Sequence, residues 1–281
     1  MKQIDAKQVT ETVSTLFQKA CHFLPDDVLA AIKKAAEKEE APAAKNALER
    51  ILENSEVAGR EQIPLCQDTG TAVVFLELGQ EVHITGGDLY PAVNDGVRRG
   101  YDEGCLRKSM VERPYSDRKN TNDNTPAVIY TDIVPGDSLK IAVLPKGGGA
   151  ENMARLAVLV PADGRQGIVD FVVKTIDEAG GNPCPPIIVG VGIGGTVDQT
   201  VMLSKRALMR EVGKPNDNSE DADLEAEILA KINDLGVGPM GYGGRTTALA
   251  VHLEVRPTHI ASLPVAVNIQ CHSARHQEAV L

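Results

Sequence analysis

The spacing of apolar residues divides the sequence into a helical N-terminal segment and a longer mixed remainder. From Asp5 to about Leu24 the apolar residues recur every three or four positions, which is the spacing of one helix face. Asp5 followed three residues later by Gln8 fits a capping box at the start of a helix. Two later prolines favour two further helices, the second of which ends near Asn54. The pattern therefore predicts a helical segment over residues 1–55.

The remainder alternates strand-like and helix-like stretches. Thr71–Leu78 is rich in β-branched and apolar residues, which predicts a strand. Strands expected at 128–134 and 138–144 flank Pro135-Gly136-Asp137, and this arrangement predicts an antiparallel hairpin. The other expected elements are helices at 88–103, after 147–149, at 167–179, 197–211 and 224–235, and strands at 186–191, 246–255 and 260–268.

Together these elements predict a mixed α and β (α+β) fold. We expect a helical N-terminal layer packed on a mixed, partly antiparallel sheet. The sequence shows no internal repeat and no clear linker, so one integrated domain is expected over residues 1–281. Within it, residues 1–55 form the helical segment and residues 56–281 the α/β part.

Charge and composition narrow the classes of partner. The formal net charge is -10 and aromatic residues make up 3% of the chain, whereas nucleic-acid binding calls for basic surfaces and stacking platforms. No stretch approaches the roughly 18 apolar residues of a membrane span. The N-terminus leads into an amphipathic segment rather than the apolar core of a signal peptide. We therefore expect a cytoplasmic protein that binds neither nucleic acid nor membrane.

The five cysteines are widely spread, without the close spacings of a disulfide framework or a CxxC motif. Cys66 and Cys184 each precede an expected strand, and Cys271 follows one, so all three lie where loops display functional groups. Three thiolates suit an iron–sulfur cluster with one iron left open. Spacing alone nevertheless favours the alternative that these are small buried hydrophobes. Cys21 lies on the apolar stripe of the first helix, which indicates packing, and Cys105 has no comparable setting.

Two glycine-rich segments could each receive an anion. Gly147–Gly149 follows Lys146 at an expected helix start, so the segment is either a seat for a carboxylate or phosphate or a tight turn. Gly190–Gly195 matches G-x-G-x-x-G after a strand, as in dinucleotide-binding folds. The acidic residue expected about 20 positions later is missing, so close packing of helix on strand explains these glycines equally well.

Single charged residues are less specific. Arg107 and Arg245 are available to an anionic substrate, although a solvated surface arginine is the simpler interpretation of each. His252 alternates with Ala250 and Glu254, so we expect it on the polar, exposed face of its strand. His259 precedes the strand that leads to Cys271 and stays a candidate.

Four ordered blocks resemble a known family. They are P-L-C-Q-D-T-G at 64–70, L-P-K-G-G-G-A-E-N at 144–152, G-G-N-P-C-P-P through G-V-G-I-G-G-T at 180–196, and H-I-A-S-L-P-V-A-V-N-I-Q-C-H at 259–272. This set is similar to the alpha subunit of the iron-dependent hydro-lyases, class I fumarate hydratase and L-tartrate dehydratase. Four blocks in the right order are far more specific than any one of them.

The resemblance implies a cofactor and a reaction. It assigns Cys66, Cys184 and Cys271 as ligands of a [4Fe-4S] cluster whose fourth iron is left for substrate. The implied reaction is reversible hydration of fumarate to L-malate, with L-tartrate dehydration as the alternative. The implied catalytic residues are Asp68 and His259, which orient the substrate or relay protons, and the substrate-binding residues are Gln67, Arg107 and Gly149.

The resemblance also implies partners. Family members made of one polypeptide continue into a second domain with further arginines and the base, whereas this sequence stops ten residues after Cys271. We therefore expect a separate beta subunit, together with self-association. Two other functions stay open: a nucleotide-dependent oxidoreductase using Gly190–Gly195, and a non-catalytic scaffold subunit.

Overall fold

The computed structural model describes all of residues 1–281. The helices are α1 (Ala6–His22), α2 (Asp26–Lys38), α3 (Pro42–Glu61), α4 (Leu89–Glu103), α5 (Gly148–Glu151), α6 (Gly164–Ala179), α7 (Val197–Ala207) and α8 (Ser219–Asp234). The strands are β1 (Lys2–Asp5), β2 (Thr71–Gly79), β3 (Val82–Thr85), β4 (Val128–Val134), β5 (Leu139–Lys146), β6 (Arg155–Leu159), β7 (Ile187–Ile193), β8 (Ala248–Val255), β9 (Leu263–Gln270) and β10 (Gln277–Val280). The expected α+β class is confirmed.

The contacts of the chain divide it into two compact units, neither of which is one continuous stretch. Unit 1 consists of Met1–Pro25, Asn54–Gly148 and Arg275–Leu281. Unit 2 consists of Asp26–Glu53 and Gly149–Ala274. The helices of the N-terminal segment are thus shared out, with α1 in unit 1 and α2 in unit 2. A single integrated domain stays a prediction.

The N-terminal helices form where the apolar spacing predicts them. In α1 the side chains of Val9, Val13 and Phe17 are fully buried. The Asp5 carboxylate accepts a hydrogen bond from the Lys7 amide in the first turn, and the Gln8 side chain accepts one from the Asp5 amide at 3.1 Å. The predicted capping box is therefore confirmed. The short strand β1, which pairs in parallel with β3, was not predicted because four residues carry too little pattern.

The four-stranded sheet of unit 1 has the order β10-β5-β2-β4. The predicted hairpin of 128–134 with 138–144 is wrong, because β2 lies between these strands, parallel to β4 and antiparallel to β5. Five successive residues of β2 are buried, so the interior of the sheet is its favourable place. The Pro135–Asp137 turn instead passes the end of β2, where the Gln80 amide donates to the Val134 carbonyl at 2.8 Å.

The sheet of unit 2 has the order β6-β9-β7-β8. Strand β7 is buried throughout, runs parallel to β8, and is antiparallel to β9. Val189 and Val191 of β7 pack with residues of α6 and α8 in one apolar core. The other predicted elements are present with ends that differ by a few residues. The short edge strands β6 and β10 were not predicted.

None of the helices combines the length and apolar character that a bilayer crossing demands.

Candidate active site

The loop that carries Cys66 belongs to unit 1 and connects α3 to β2. The loop has no regular secondary structure, so side chains from other parts of the chain form hydrogen bonds with its backbone. The Tyr101 hydroxyl donates to the carbonyls of Thr69 at 2.8 Å and Gly70 at 3.1 Å. The Asn124 amide donates to the same Gly70 oxygen at 3.2 Å. Because both side chains are buried, they act as internal clamps on the loop.

Asp68 faces two backbone amides of unit 1. One carboxylate oxygen accepts from the Gly70 amide at 3.0 Å and the other from the Gly148 amide at 2.7 Å. The Asp68 amide in turn donates to the Cys66 sulfur at 3.4 Å. Asp68 therefore ties the cysteine loop to the start of the glycine turn, and Gln67 between them is exposed.

Arg275 is a further candidate site residue, one that the sequence did not single out. Its guanidinium donates to the Asp68 carbonyl, and the residue is only 1% exposed. A Cβ atom at Gly147 would lie 3.2 Å from the Arg275 guanidinium and 3.3 Å from the Asp68 carboxylate, so this cation lies beside the loop. No local sequence pattern indicates that Arg275 is buried, because the burial of an arginine depends on which distant groups surround it.

Arg107 lies in a loop that is hydrogen-bonded to the Cys66 loop. Its carbonyl accepts from the Thr69 hydroxyl at 2.8 Å, and the Ser109 amide donates to Asn124 at 2.7 Å. Since Asn124 also bonds Gly70, one buried side chain joins both loops. The side chain of Arg107 is exposed and is available to an anion.

Within unit 2, the structure brings the segments of Cys184 and Cys271 together. The amide of His272 donates to the Cys184 carbonyl at 3.2 Å, and its Nδ1 lies 3.0 Å from the same oxygen. Cys184 itself has a φ of 56°, an uncommon conformation for a residue with a side chain. Such backbone strain is retained only where the surrounding structure enforces it. Positions of this kind are often found at functional sites.

Gly149 begins the second segment of unit 2 and is exposed. A Cβ atom there would lie 3.5 Å from the Asn182 carbonyl, in ordinary contact with the turn that carries Cys184. Gly149 and the Cys184 turn are therefore neighbours within unit 2.

His259 is not brought to the cysteines of unit 2. It lies in the exposed loop before β9, where its Nδ1 accepts from the Ala261 amide at 3.2 Å. Cys271 follows the opposite end of β9, which has eight residues. At about 3.3 Å per residue the strand separates the two by roughly 25 Å.

The expectation for His252 is wrong, since the residue is only 2% exposed. It pairs with Gly190 in the parallel register of β7 and β8, on the face that α7 covers. Burial, reinforced by the charge of Arg210, lowers the pKa of His252 to about 4. Arg245 is exposed and paired with Glu40 at 2.7 Å, in keeping with an ordinary surface arginine.

The Gly190–Gly195 segment is a packing surface. A Cβ atom at Gly190 would overlap the Ser204 carbonyl oxygen, and one at Gly192 would overlap that of Thr200. Both carbonyls belong to α7, so the helix lies directly on the strand. The Thr196 amide at the helix start already donates to Gln199 at 3.2 Å. The close packing of α7 on β7 therefore explains the glycines of this segment.

The three candidate ligands are thiol donors, the kind that iron–sulfur clusters take in proteins. Cys66, Cys184 and Cys271 are free cysteines on loops, and each residue is partly exposed. No group of three His, Cys, Asp or Glu side chains is arranged to hold one ion. A cubane cluster differs in taking one thiolate per iron. Cys21 is fully buried, which raises its pKa to about 12, so the packing role predicted for it is confirmed.

Comparison with known proteins gives a consistent result. The model of the family described as "Fumarate hydratase (Fumerase)" matches residues 10–280. A chain of Methanocaldococcus jannaschii, named provisionally as L(+)-tartrate dehydratase subunit alpha, is 42% identical over 272 residues, 95% of each chain. The L(+)-tartrate dehydratase subunit alpha of Escherichia coli K12 is 31% identical over 276 residues, which cover 98% of this chain and 91% of that protein. The resemblance found in the sequence is confirmed: the chain belongs to the fumarate hydratase (Fumerase) family of hydro-lyases.

Proposed function

We propose that this chain is the cluster-carrying alpha subunit of a hydro-lyase that reversibly hydrates fumarate to L-malate. Cys66, Cys184 and Cys271 are the ligands of one [4Fe-4S] cluster. The observation that carries the proposal is the bonding of His272 to the Cys184 carbonyl, which joins two of the three ligand segments. The conformation of Cys184 and the family membership support it.

When bound, the cluster supplies a Lewis-acidic iron for a substrate hydroxyl and carboxylate. The residues of the chain hold and orient the dicarboxylate. Arg107 and the backbone at Gly149 bind carboxylate oxygens through charge-assisted hydrogen bonds. Gln67 and Asp68 lie on the loop next to Cys66, where Asp68 orients the substrate while its amide partners keep it in place. The base that takes the proton from carbon belongs to a separate beta subunit.

His259 needs a second copy of the chain to fulfil the role proposed for it. Strand β9 keeps it roughly 25 Å from Cys271, several times the length of a four-carbon acid. The self-association that we propose would let His259 of one copy relay protons at the site of another.

L-Tartrate dehydration is the second candidate. The relatives from M. jannaschii and E. coli both carry tartrate dehydratase names, which favours this substrate. Fumarate hydration is favoured by the family description. A nucleotide-dependent reaction is disfavoured by the closed contact of Gly190 and Gly192 with α7.

The cluster is tested by anaerobic reconstitution of the chain with iron and sulfide. We expect about four irons per chain and a brown protein. Cys66→Ser, Cys184→Ser and Cys271→Ser should each prevent this, whereas the matched control Cys105→Ser should keep full iron content. A colourless wild-type protein would support the scaffold alternative.

The reaction is tested by adding the beta subunit to the reconstituted chain and comparing fumarate with L-tartrate as substrates. Activity should require both subunits. Turnover of L-tartrate alone would assign the second candidate, and turnover of neither would overturn the proposed function.

A further inference from the structure

The glycine segment of β7 fixes the position of α7 within unit 2. Because Gly190 and Gly192 have no side chains, the carbonyls of Ser204 and Thr200 rest directly against the strand. A helix held by backbone contacts at two successive turns has little freedom to slide or rotate. Any side chain next to these contacts is therefore held at a defined place.

Lys205 follows Ser204 and is such a side chain. The residue is 8% exposed, and its ammonium group forms an ion pair with the Glu151 carboxylate. A buried ammonium is costly unless it is paired, so Lys205 strongly favours the conformation in which Glu151 reaches it. Glu151 is two residues beyond Gly149.

Glu151 has a further partner in the strand that leads to Cys271. The Asn268 side chain, buried on β9, donates to the Glu151 carboxylate at 3.2 Å. Ala150 is also buried in the core of unit 2. Ala150 is thus held by packing and Glu151 by its ion pair with Lys205, whereas Gly149 itself is exposed.

We propose that Lys205 is a positioning residue for dicarboxylate binding, acting through Glu151 on the backbone at Gly149. The inference rests on the proposed function, in which Gly149 contacts a substrate carboxylate. It gives the Gly190–Gly195 segment a role: the segment docks α7 so that Lys205 reaches Glu151.

The role predicts how the substrate constants should change. Misplacing a backbone group that binds a carboxylate weakens substrate binding, while the groups that act on the scissile bonds stay in place. Loss of a hydrogen bond to a charged group corresponds to about a tenfold change in affinity. We therefore expect KM to rise about tenfold and kcat to change less than about threefold.

The experiment uses the reconstituted holoenzyme with its beta subunit and whichever acid the wild type turns over. The variants are Lys205→Met, Glu151→Gln, the double variant and Lys205→Arg. Both single variants should show the raised KM at unchanged iron content. The double variant should be no worse than either, since both act through one contact, and Lys205→Arg should restore most of the binding. Lys174→Met, which removes an exposed ion pair with Glu178 in the same unit, is the matched control and should behave as wild type.

A second readout is independent of activity. In the isolated chain, amide hydrogen exchange over residues 147–154 should accelerate in Lys205→Met relative to wild type and to Lys174→Met. A lowered melting temperature with unchanged KM and unchanged local exchange would give the pair a purely structural role and overturn the proposal. An inactive wild-type holoenzyme would instead overturn the proposed function, and exchange would still test the positioning of the turn.

Discussion

The two units hold their candidate site segments by different means. In unit 1 the Cys66 loop is bonded by side chains that reach it from distant parts of the chain, namely Tyr101, Asn124 and Arg275. In unit 2 the Cys184 carbonyl is bonded by His272, which adjoins Cys271, and the neighbouring α7 lies on β7 by backbone contact. The Cys66 loop thus relies on buried polar side chains, whereas the position of α7 in unit 2 relies on close backbone approach.

The two kinds of contact make the Cys66 loop and α7 sensitive to different substitutions. A loop held by a few long side chains depends on each of them, because a buried carbonyl that loses its donor pays its desolvation cost. A helix held against a strand depends instead on the absence of side chains at the contact. A carbon added at Gly190 should therefore displace α7, and removal of a polar group from Tyr101 or Arg275 should loosen the Cys66 loop.

The largest effect is expected for Gly190→Ala in unit 2. The new methyl group would overlap the Ser204 carbonyl and push α7 away, lowering the free energy of unfolding by about 4 kcal/mol. Gly213→Ala is the control, since its φ is +91° but nothing lies within 4 Å, and it should cost only about 1 kcal/mol. Urea unfolding measures both. Equal losses would mean that close approach is unimportant in unit 2.

Arg275→Ala tests the side-chain clamps of unit 1. Removing the buried guanidinium leaves the Asp68 carbonyl without this donor and opens a cavity, for an expected loss of about 3 kcal/mol. Arg275→Lys should recover less than half, because an ammonium lacks the planar fork. Iron content after reconstitution should fall in parallel. A loss below about 1 kcal/mol in urea unfolding would contradict the clamp.

The pH dependence of stability should reveal the buried ring of His252 in unit 2. Its pKa is about 4 in the folded chain, whereas an unfolded histidine titrates near 6.5. Between pH 6.5 and pH 4 the His252 ring is protonated in the unfolded chain but neutral in the folded chain. The free energy of unfolding therefore decreases as the pH falls through this range. The loss at pH 5 is roughly 2 kcal/mol. His252→Gln should flatten the curve by this amount in thermal unfolding at pH 7 and pH 5, and an unchanged slope would refute the assignment.

Tyr101→Phe should have the smallest effect. It removes only the hydroxyl that bonds the Thr69 and Gly70 carbonyls, and Asn124 keeps its bond to Gly70. We expect a loss of about 1 kcal/mol by urea unfolding. A loss as large as that of Arg275→Ala would show that the clamps act as one cooperative network.

Local patterns in the sequence predicted local structure well. The capping box at Asp5 and the apolar stripe of α1 are short-range features, and both are present. The four sequence blocks identified the family where cysteine spacing alone favoured packing. The fate of Cys21 also followed from its place on that stripe.

Long-range features could not be predicted in this way. The turn at Pro135–Asp137 is compatible with a hairpin, and only the insertion of β2 decides against it. Alternation on β8 distinguishes two faces but does not show that α7 covers the face of His252. Arg275 is buried by groups far away in sequence, so nothing next to it marks it as internal.

The discontinuity of unit 1 has a consequence for synthesis on the ribosome. Arg275 and β10 are made only after residues 149–274, although their partners Asp68 and β5 emerge earlier. At the usual elongation rate this delay is on the order of ten seconds. During that time the nascent Cys66 loop lacks its buried cation and β5 lacks its partner β10, so unit 1 can be completed only after the second segment of unit 2 has been made.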